Sequence, residues 1–373
     1  AWLLKTLQDQ GLGGYTMVVG SDGLTPAEGG RARAIKNVVL TRFPVQAVRQ
    51  HPIPGARHIL EVQVTVEGQP LTIFANHWKS GAGDAAQETT RVADAAVLRA
   101  RLDELLLADP HADILIGGDF NAHYNQKARY PQMRQTGIND VLRSQGNALA
   151  VRGPQRDLFN LWFELPAAER GSDVFEGEWG TLIQLIATRG LFDHRGVQYV
   201  DKSFAVAKFP GLNQADDGTP RRWTFDGPAG QGCSDHFPIY ARFVTVTDNA
   251  PDRWITLTRP SDGVEPATNP RVQYGTREVT QGALTEASLP PQANLRDGTY
   301  TGKIFRVEGA VTEGPRLGVR FRGETYDIYV PDPALRAQVQ TRWPGGTVAR
   351  FYGELGRYKD RWQFVIKDGS WLK

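Results

Sequence analysis

The sequence predicts an α+β chain in two folded parts. A larger domain mixes strands with helices over residues 1–247, and a small five-stranded β domain spans 297–373, with a linker over 248–296 between them. Three observations carry the prediction. Apolar residues alternate with polar ones over 60–66 and 71–75, the period of half-buried strands. An apolar stripe at helical spacing runs through 84–107. Beyond 248 the texture turns first to scattered prolines and then to short strand-like runs.

Length and composition are consistent with this division. The 373 residues suffice for two domains at about 150 residues each. With charged residues at 23% and hydrophobic ones at 40%, wholesale disorder is excluded. The single cysteine, Cys233, rules out an internal disulfide and any multi-cysteine zinc site. No apolar run approaches the roughly 18 residues of a membrane span, so no membrane partner is expected. The chain opens on Ala1-Trp2-Leu3 without a methionine or a charged leader, so a processed or shortened chain is expected.

The elements follow in order. A first helix is expected over Ala1–Leu7. Leu60, Val62, Val64 and Val66 alternate with Glu61, Gln63 and Thr65. Glu67-Gly68-Gln69-Pro70 breaks the run and Leu71–Ala75 resumes it, a hairpin. Val92, Ala95, Leu98, Leu102 and Leu105 share one face of the long helix, which Asp109-Pro110 ends. Ile114-Leu115-Ile116 then enters Gly117-Gly118 as a buried strand closing on a tight loop. Pro251, Pro260, Pro266, Pro270, Pro290 and Pro291 mark the linker, within which Trp254–Leu257 is apolar enough to dock. The runs 299–312, 316–322, 325–331, 347–354 and 361–366 are the five terminal strands. A helix is capped by Asp332, with Pro333 in its first position, between the third and fourth.

Three segments place acids, amides and histidines at strand ends. In Phe74-Ala75-Asn76-His77-Trp78-Lys79-Ser80, His77 leaves an apolar strand for a polar loop. In Gly117-Gly118-Asp119-Phe120-Asn121, Asp119 and Asn121 lie two apart and project to one side of an extended chain. Ser234-Asp235-His236-Phe237-Pro238 precedes another strand pattern, Ile239–Phe243. Phosphodiester hydrolysis needs these residue types. Hard carboxylates hold Mg²⁺ or Mn²⁺, a histidine takes a proton from water near neutral pH, and amides orient phosphate oxygens. Each motif also has a structural alternative: a hydrogen-bonded histidine, an Asx turn at Asp119, a strand-entry cap at Asp235. Their joint occurrence favours chemistry.

These segments resemble the NHWKS, GGDFN and SDHFP signatures of the endonuclease/exonuclease/phosphatase superfamily. Asn37–Pro44 and the helix bearing Arg91 support the resemblance, which covers about residues 1–245. It implies a deoxyribonuclease-I-like, four-layered α/β sandwich that cleaves phosphate esters with Mg²⁺ or Mn²⁺. By the resemblance His77 is a general acid or phosphate donor, and Asp119 orients water or a metal. Asn121 binds phosphate, Asp235 is a metal ligand and His236 is the general base. Asn76, Lys79 and Arg42 are the candidate substrate-binding residues. The family's first-strand Asn and second-strand metal-binding Glu fall upstream of Ala1, so the chain is expected to be N-terminally shortened. The family's Asp-His pair falls where this chain has Gln184, and Asp193, Glu178 and Asp226 are the substitutes offered for the lost carboxylate. The stretch 169–180 is either a substrate-facing loop or a solvated connection whose Trp179 packs on the body.

The near-neutral total of +2 conceals a split. Residues 297–373 carry 13 Lys+Arg against 9 Asp+Glu and hold 12 of the 36 aromatic residues. Five strands with a helix after the third resemble an OB-fold barrel, and Val348–Glu354 with Tyr358–Trp362 interleaves cations and rings as single-strand binders do. The same rings could instead fill a small core. The leading expectation is therefore a monomeric, metal-dependent nuclease acting on DNA, its barrel holding nucleic acid. A phospholipid or phosphoinositide substrate and a non-catalytic binder are the alternatives. Resemblance to extracellular bacterial nucleases suggests a secreted or periplasmic location.

Overall fold

The computed structural model describes residues 2–20, 36–53, 56–222, 232, 234–246, 266–274, 280–314 and 316–373. Cys233, Asp226 and the segment Trp254–Leu257 lie outside them. The chain divides into two compact units. The first comprises 1–170, 181–206 and 239–269, and the second 171–180, 207–238 and 270–373. A single boundary at 247 is therefore replaced by a division in which two excursions, 171–180 and 207–238, fold with the terminal barrel's unit. Residues 270–296 are more than a tether. Val272, Tyr274, Leu289 and Leu295 are buried in the same hydrophobic cluster as the barrel.

The first unit opens with α1 (Trp2–Asp9), β1 (Thr16–Val19) and β2 (Val38–Thr41). Its frame is a seven-stranded mixed sheet. The strands are β3 (Val45–His51), β4 (Ile59–Val66), β5 (Gln69–His77), β6 (Ile114–Asp119), β7 (Ser144–Gln145), β8 (Leu158–Asn160) and β11 (Ile183–Ala187), in the order β3-β4-β5-β6-β11-β8-β7. The expected hairpin is β4–β5, with Glu67 and Gly68 both at positive φ in its turn. Alternation sends Ile59, Phe74, Ile114 and Ile116 to one face, packed on α2 (Ala85–Ala108) through Ala95, Leu98 and Leu102. The other face carries Leu60, Val62, Val64 and Leu71, and meets Val197 and Tyr199 of β12 (Gly196–Tyr199), which pairs with β15 (Phe243–Val246). The structure is thus helix on sheet on sheet, with Asp84 capping α2 through the Ala86 and Gln87 amides.

The buried stripe of α2 begins polar. Glu88, Arg91 and Asp94 are buried ahead of the aliphatic turns, while the predicted Val92 and Leu105 lie on its edges. Across the sheet, Glu61 accepts from Arg101 (Nε 2.9 Å, Nη2 2.8 Å) and lies 2.7 Å from His51 Nε2. Burial raises the Glu61 carboxyl, but hydrogen bonds from His51 and Arg101 outweigh it and hold the group at about 2, below its ordinary 4.5. A carboxyl with a depressed folded-state pKa stabilises the fold above its unfolded pKa and loses that contribution as the pH falls. The urea midpoint should therefore drop as the pH is lowered from 5 to 2, and drop less in Glu61→Gln. Equal pH dependence in the two proteins would remove Glu61 as a source of acid sensitivity.

In the second unit β9 (Asp173–Phe175) and β10 (Glu178–Gly180) form a hairpin, and the C-terminal strands close a barrel. The barrel strands are β16 (Ile304–Thr312), β17 (Gly318–Phe321), β18 (Glu324–Tyr329), β19 (Val348–Tyr358) and β20 (Arg361–Val365), closed in the order β16-β17-β18-β20-β19. Asp332 caps the intervening helix (Pro333–Arg342) through the Leu335 amide. The parallel β18–β20 pairing and the helix after the third strand give the expected OB-like topology. Along β19, Ala349, Phe351 and Leu355 point inward while Val348 and Arg350 face out. Eight of the twelve terminal rings therefore build the core, where Phe364 touches Phe305, Phe321, Tyr326 and Phe351. Arg350, Arg357, Lys359, Arg361 and Tyr358 remain outside.

Candidate active site

Parallel pairing of β5 with β6 puts His77 opposite Asp119 at the ends of both strands. His77 Nε2 stands 3.6 Å from Asp119 Oδ2, both side chains about a quarter exposed. Asp119 Oδ1 accepts from the Asn121 amide at 2.8 Å, so an Asx turn, and not an extended chain, brings the two residues together. Asn121 takes a positive φ of 47°, and its Nδ2 donates to the Trp78 carbonyl at 3.1 Å. Gly118 permits this ending: at φ 137° it lies so close to β5 that a Cβ would stand 2.0 Å from the Asn76 carbonyl oxygen.

The expected substrate-binding residues fare differently. Asn76 is buried on the face of Phe74, and its amide is committed internally. Nδ2 donates to the Phe74 and Gly117 carbonyls, and Oδ1 accepts from Trp78 Nε1 at 3.2 Å. Asn76 is therefore a structural tie between β5 and β6, because strand alternation points it into the core. Lys79 and Arg42 are exposed, and the Arg42 guanidinium lies over the Tyr15 ring at 4.5 Å. Buried Arg91 fixes the loop after β5, donating to Glu88 Oε2 at 2.7 Å and to the Lys79 carbonyl at 2.9 Å. Arg57, which the sequence did not single out, is a cation acting on this group: burial lowers its guanidinium while Asp119 and Asp94 hold it up. Burial likewise raises Asp94 to about 6, against the Lys79 amide and Arg91.

In the second unit His236 is the centre of an acidic pair. Its Nδ1 stands 3.6 Å from Asp173 Oδ1 and its Nε2 3.8 Å from Asp235 Oδ1. Asp173 is 9% exposed and Asp235 70%, so one carboxylate is internal and the other faces solvent. The β9–β10 register sets Asp173 opposite Gly180, where a Cβ would lie 2.1 Å from Asp173 Oδ2. Gly180 thus makes room for that carboxylate, and Ser172 Oγ donates to its Oδ1 at 3.4 Å. The Phe237 amide donates to the Ser172 carbonyl at 2.6 Å, which fastens the His236 segment to the hairpin.

The carboxylate behind His236 is therefore Asp173, which was not among the substitutes offered. Asp193 pairs with His111, and Glu178 meets Arg271 at 3.3 Å. Gln184 is buried and structural: its Nε2 donates to the Ala122 carbonyl and its Oε1 accepts from Asn160 Nδ2, each at 2.6 Å. A carboxylate could not make the first of these bonds. The 169–180 stretch is neither of its expected alternatives alone. Trp179 packs on Phe237, and Lys208 lies 4.4 Å above the Trp179 ring, while Asp173 serves His236.

A model of the Endonuclease/Exonuclease/phosphatase family matches residues 41–245, and the chain belongs to that family. Similar solved structures include a D. rerio TDP2 humanized by 14 mutations, at 17% identity and TM-score 0.41 over 65% of this chain and 80% of that one. A family protein from Leptotrichia buccalis is similar at 15% identity and TM-score 0.40, over 65% of this chain and 77% of that one. The human Nocturnin catalytic domain is similar at 13% identity and TM-score 0.36, over 53% and 66%. A search of curated proteins finds no match. Family members are hydrolytic phosphodiesterases and nucleases, typically dependent on a divalent metal.

The donor chemistry suits such a metal. Mg²⁺ commonly binds through one or two carboxylates and keeps several waters. Among the described residues no three His, Cys, Asp or Glu side chains form a ready-made cage. Asp119, at a strand end, and the exposed Asp235 are hard oxygen donors of the kind this mode uses.

Proposed function

We propose that the protein is a Mg²⁺- or Mn²⁺-dependent phosphodiesterase acting on DNA, with His236 as general base. The observation that carries this is the His236–Asp173 pair: a half-buried imidazole with an internal carboxylate at one nitrogen and an accessible acid at the other. A carboxylate so placed favours the imidazolium electrostatically as the far nitrogen accepts a proton. Water oxygen attacks phosphorus as His236 takes its proton, and the P–O bond to the leaving oxygen breaks. His77 delivers a proton to that oxygen or steadies the phosphate, its ring set by Asp119. Asn121, Lys79 and Arg42 supply donors to phosphate oxygens. By the family resemblance Asp119 and Asp235 would each be a carboxylate for a metal, which would neutralise phosphate charge.

DNA is favoured by the basic, ring-bearing terminal domain, whose outer surface keeps Arg350, Arg357, Tyr358, Lys359 and Arg361 exposed. A linked module of this kind raises the local concentration of a polymer without altering the chemistry. Among the described residues no helix is long and apolar enough to cross a membrane. A monomer in a secreted or periplasmic location completes the proposal. The test is substrate discrimination in Mn²⁺: a labelled DNA oligonucleotide should be cut, and phosphatidylcholine or phosphoinositide vesicles should release no head group. Head-group release without DNA cleavage would replace the nuclease by a lipid phosphodiesterase.

A further inference from the structure

The second unit contains a cavity of about 900 Å³, large for a ligand site, since such sites run from about 300 to 1,000 Å³. Its walls come from the β9–β10 hairpin, from residues 215–222, and from the barrel at Thr301–Gly302 and the β19–β20 pair, all within that unit. Gly356 and Gln363 face each other across β19 and β20 and both line it. The cavity thus lies against the fourth and fifth barrel strands, and no residue of β17 or β18 lines it.

Four arginines stand on these walls: Arg221, Arg222, Arg271 and Arg357. Arg222 donates to the Val174 carbonyl, and Arg357 meets the fully exposed Asp360 at 3.5 Å. A guanidinium has five donors, so neither contact exhausts its group. Lys367 is held at the wall by Asp217 and by Glu354 at 2.6 Å, a buried and internally balanced cluster that gives the cavity a fixed side. Val365 supplies apolar surface, and Tyr274 and Val272 reach the lining from the buried cluster. Glu176, Asp332 and Asp368 also reach the lining, so the cavity is not uniformly basic. A ligand with neutral flat bases and intermittent phosphates suits this mixture better than a bare polyanion.

We propose that this cavity binds a segment of single-stranded nucleic acid, with phosphates on Arg222 and Arg357. The inference rests on the phosphodiesterase proposal and adds a place for the polymer. The hairpin that sets Asp173 against His236 also lends Val174, Glu176 and Gly177 to the cavity, so the two features share one wall.

The test is fluorescence anisotropy of a fluorescein-labelled oligothymidylate in EDTA, across a salt series. Arg222→Glu combined with Arg357→Glu should weaken binding at least tenfold at low salt. It should also flatten the slope of log K against log salt by about 1.4, at about 0.7 per lost phosphate contact. Arg357→Gln, at an exposed position, decides the matter by a slope change of about 0.7 if the double variant does not fold. Unchanged affinity and slope in folded variants would overturn the cavity assignment. Hydrolysis of bis(p-nitrophenyl) phosphate in Mn²⁺ is measured on the unsubstituted protein as a separate readout. Its absence from the unsubstituted protein would defeat the phosphodiesterase proposal, while the binding data would still decide the cavity.

Discussion

His236→Ala should lower phosphodiester cleavage by about 10²–10⁴-fold, the range a positioned acid–base group contributes, with the fold intact. The imidazole is only 15% exposed, but its neighbour Phe237 carries the packing and its own backbone is fixed by Ser234 Oγ and Ser172. The thermal midpoint should therefore move little. Asp173→Asn separates orientation from proton transfer. Because Asp173 acts through His236, the change should lower kcat, less than loss of His236 does, and leave KM unchanged. Asp193→Asn, on a carboxylate paired with His111, should leave both constants as they are. A kcat for Asp173→Asn equal to that of the unsubstituted protein would strip Asp173 of its positioning role.

Gly118→Ala should destabilise the first unit by about 2–6 kcal/mol. A Cβ there meets Asn76 backbone oxygen at 2.0 Å and its carbonyl carbon and nitrogen at 2.8 Å, none of which belongs to a yielding side chain. The φ of 137° adds backbone strain of about 1–3 kcal/mol to an overpacking cost of similar size. At about 2–4 °C per kcal/mol the melting temperature should fall on the order of 10 °C. Parting β5 from β6 also separates His77 from Asp119, so residual activity of the folded fraction should fall with stability. Gly68→Ala is the control: its φ is also positive, at 87°, but no atom lies within 4 Å, and only strain of about 1 kcal/mol is expected. Equal melting shifts for the two variants would show that the close β5–β6 approach carries no special cost.

Much of this was legible in the sequence because local signals and tertiary demands coincide. Period-two alternation placed β4 and β5, and the 3–4 spacing placed α2. The end of β6 followed from apolar residues running into two glycines. The OB-like barrel showed through strand spacing and the Asp332-Pro333 helix start. The inward placement of Asn76 was legible too, since alternation from Phe74 turns it to the core face. Asp173 left no comparable signal. It sits in a charged, glycine-rich stretch, and its contact with His236 is made across a hairpin that the Ser172–Phe237 bond ties to the His236 segment. Gln184 read as a lost carboxylate because its two buried partners, Ala122 and Asn160, are distant in sequence. The 270–296 segment read as linker because prolines broke the spacing of four side chains that the barrel's cluster buries.

The central claim is that this chain cleaves phosphodiesters with a divalent metal and His236 as base. The most direct measurement is the initial rate of cleavage of an end-labelled DNA oligonucleotide in Mg²⁺, in Mn²⁺ and in EDTA, with the unsubstituted protein and His236→Ala side by side. The account predicts cleavage in at least one metal, none in EDTA, and at least a hundredfold loss in the variant. Equal rates in metal and EDTA, or a variant as active as the unsubstituted protein, would contradict it.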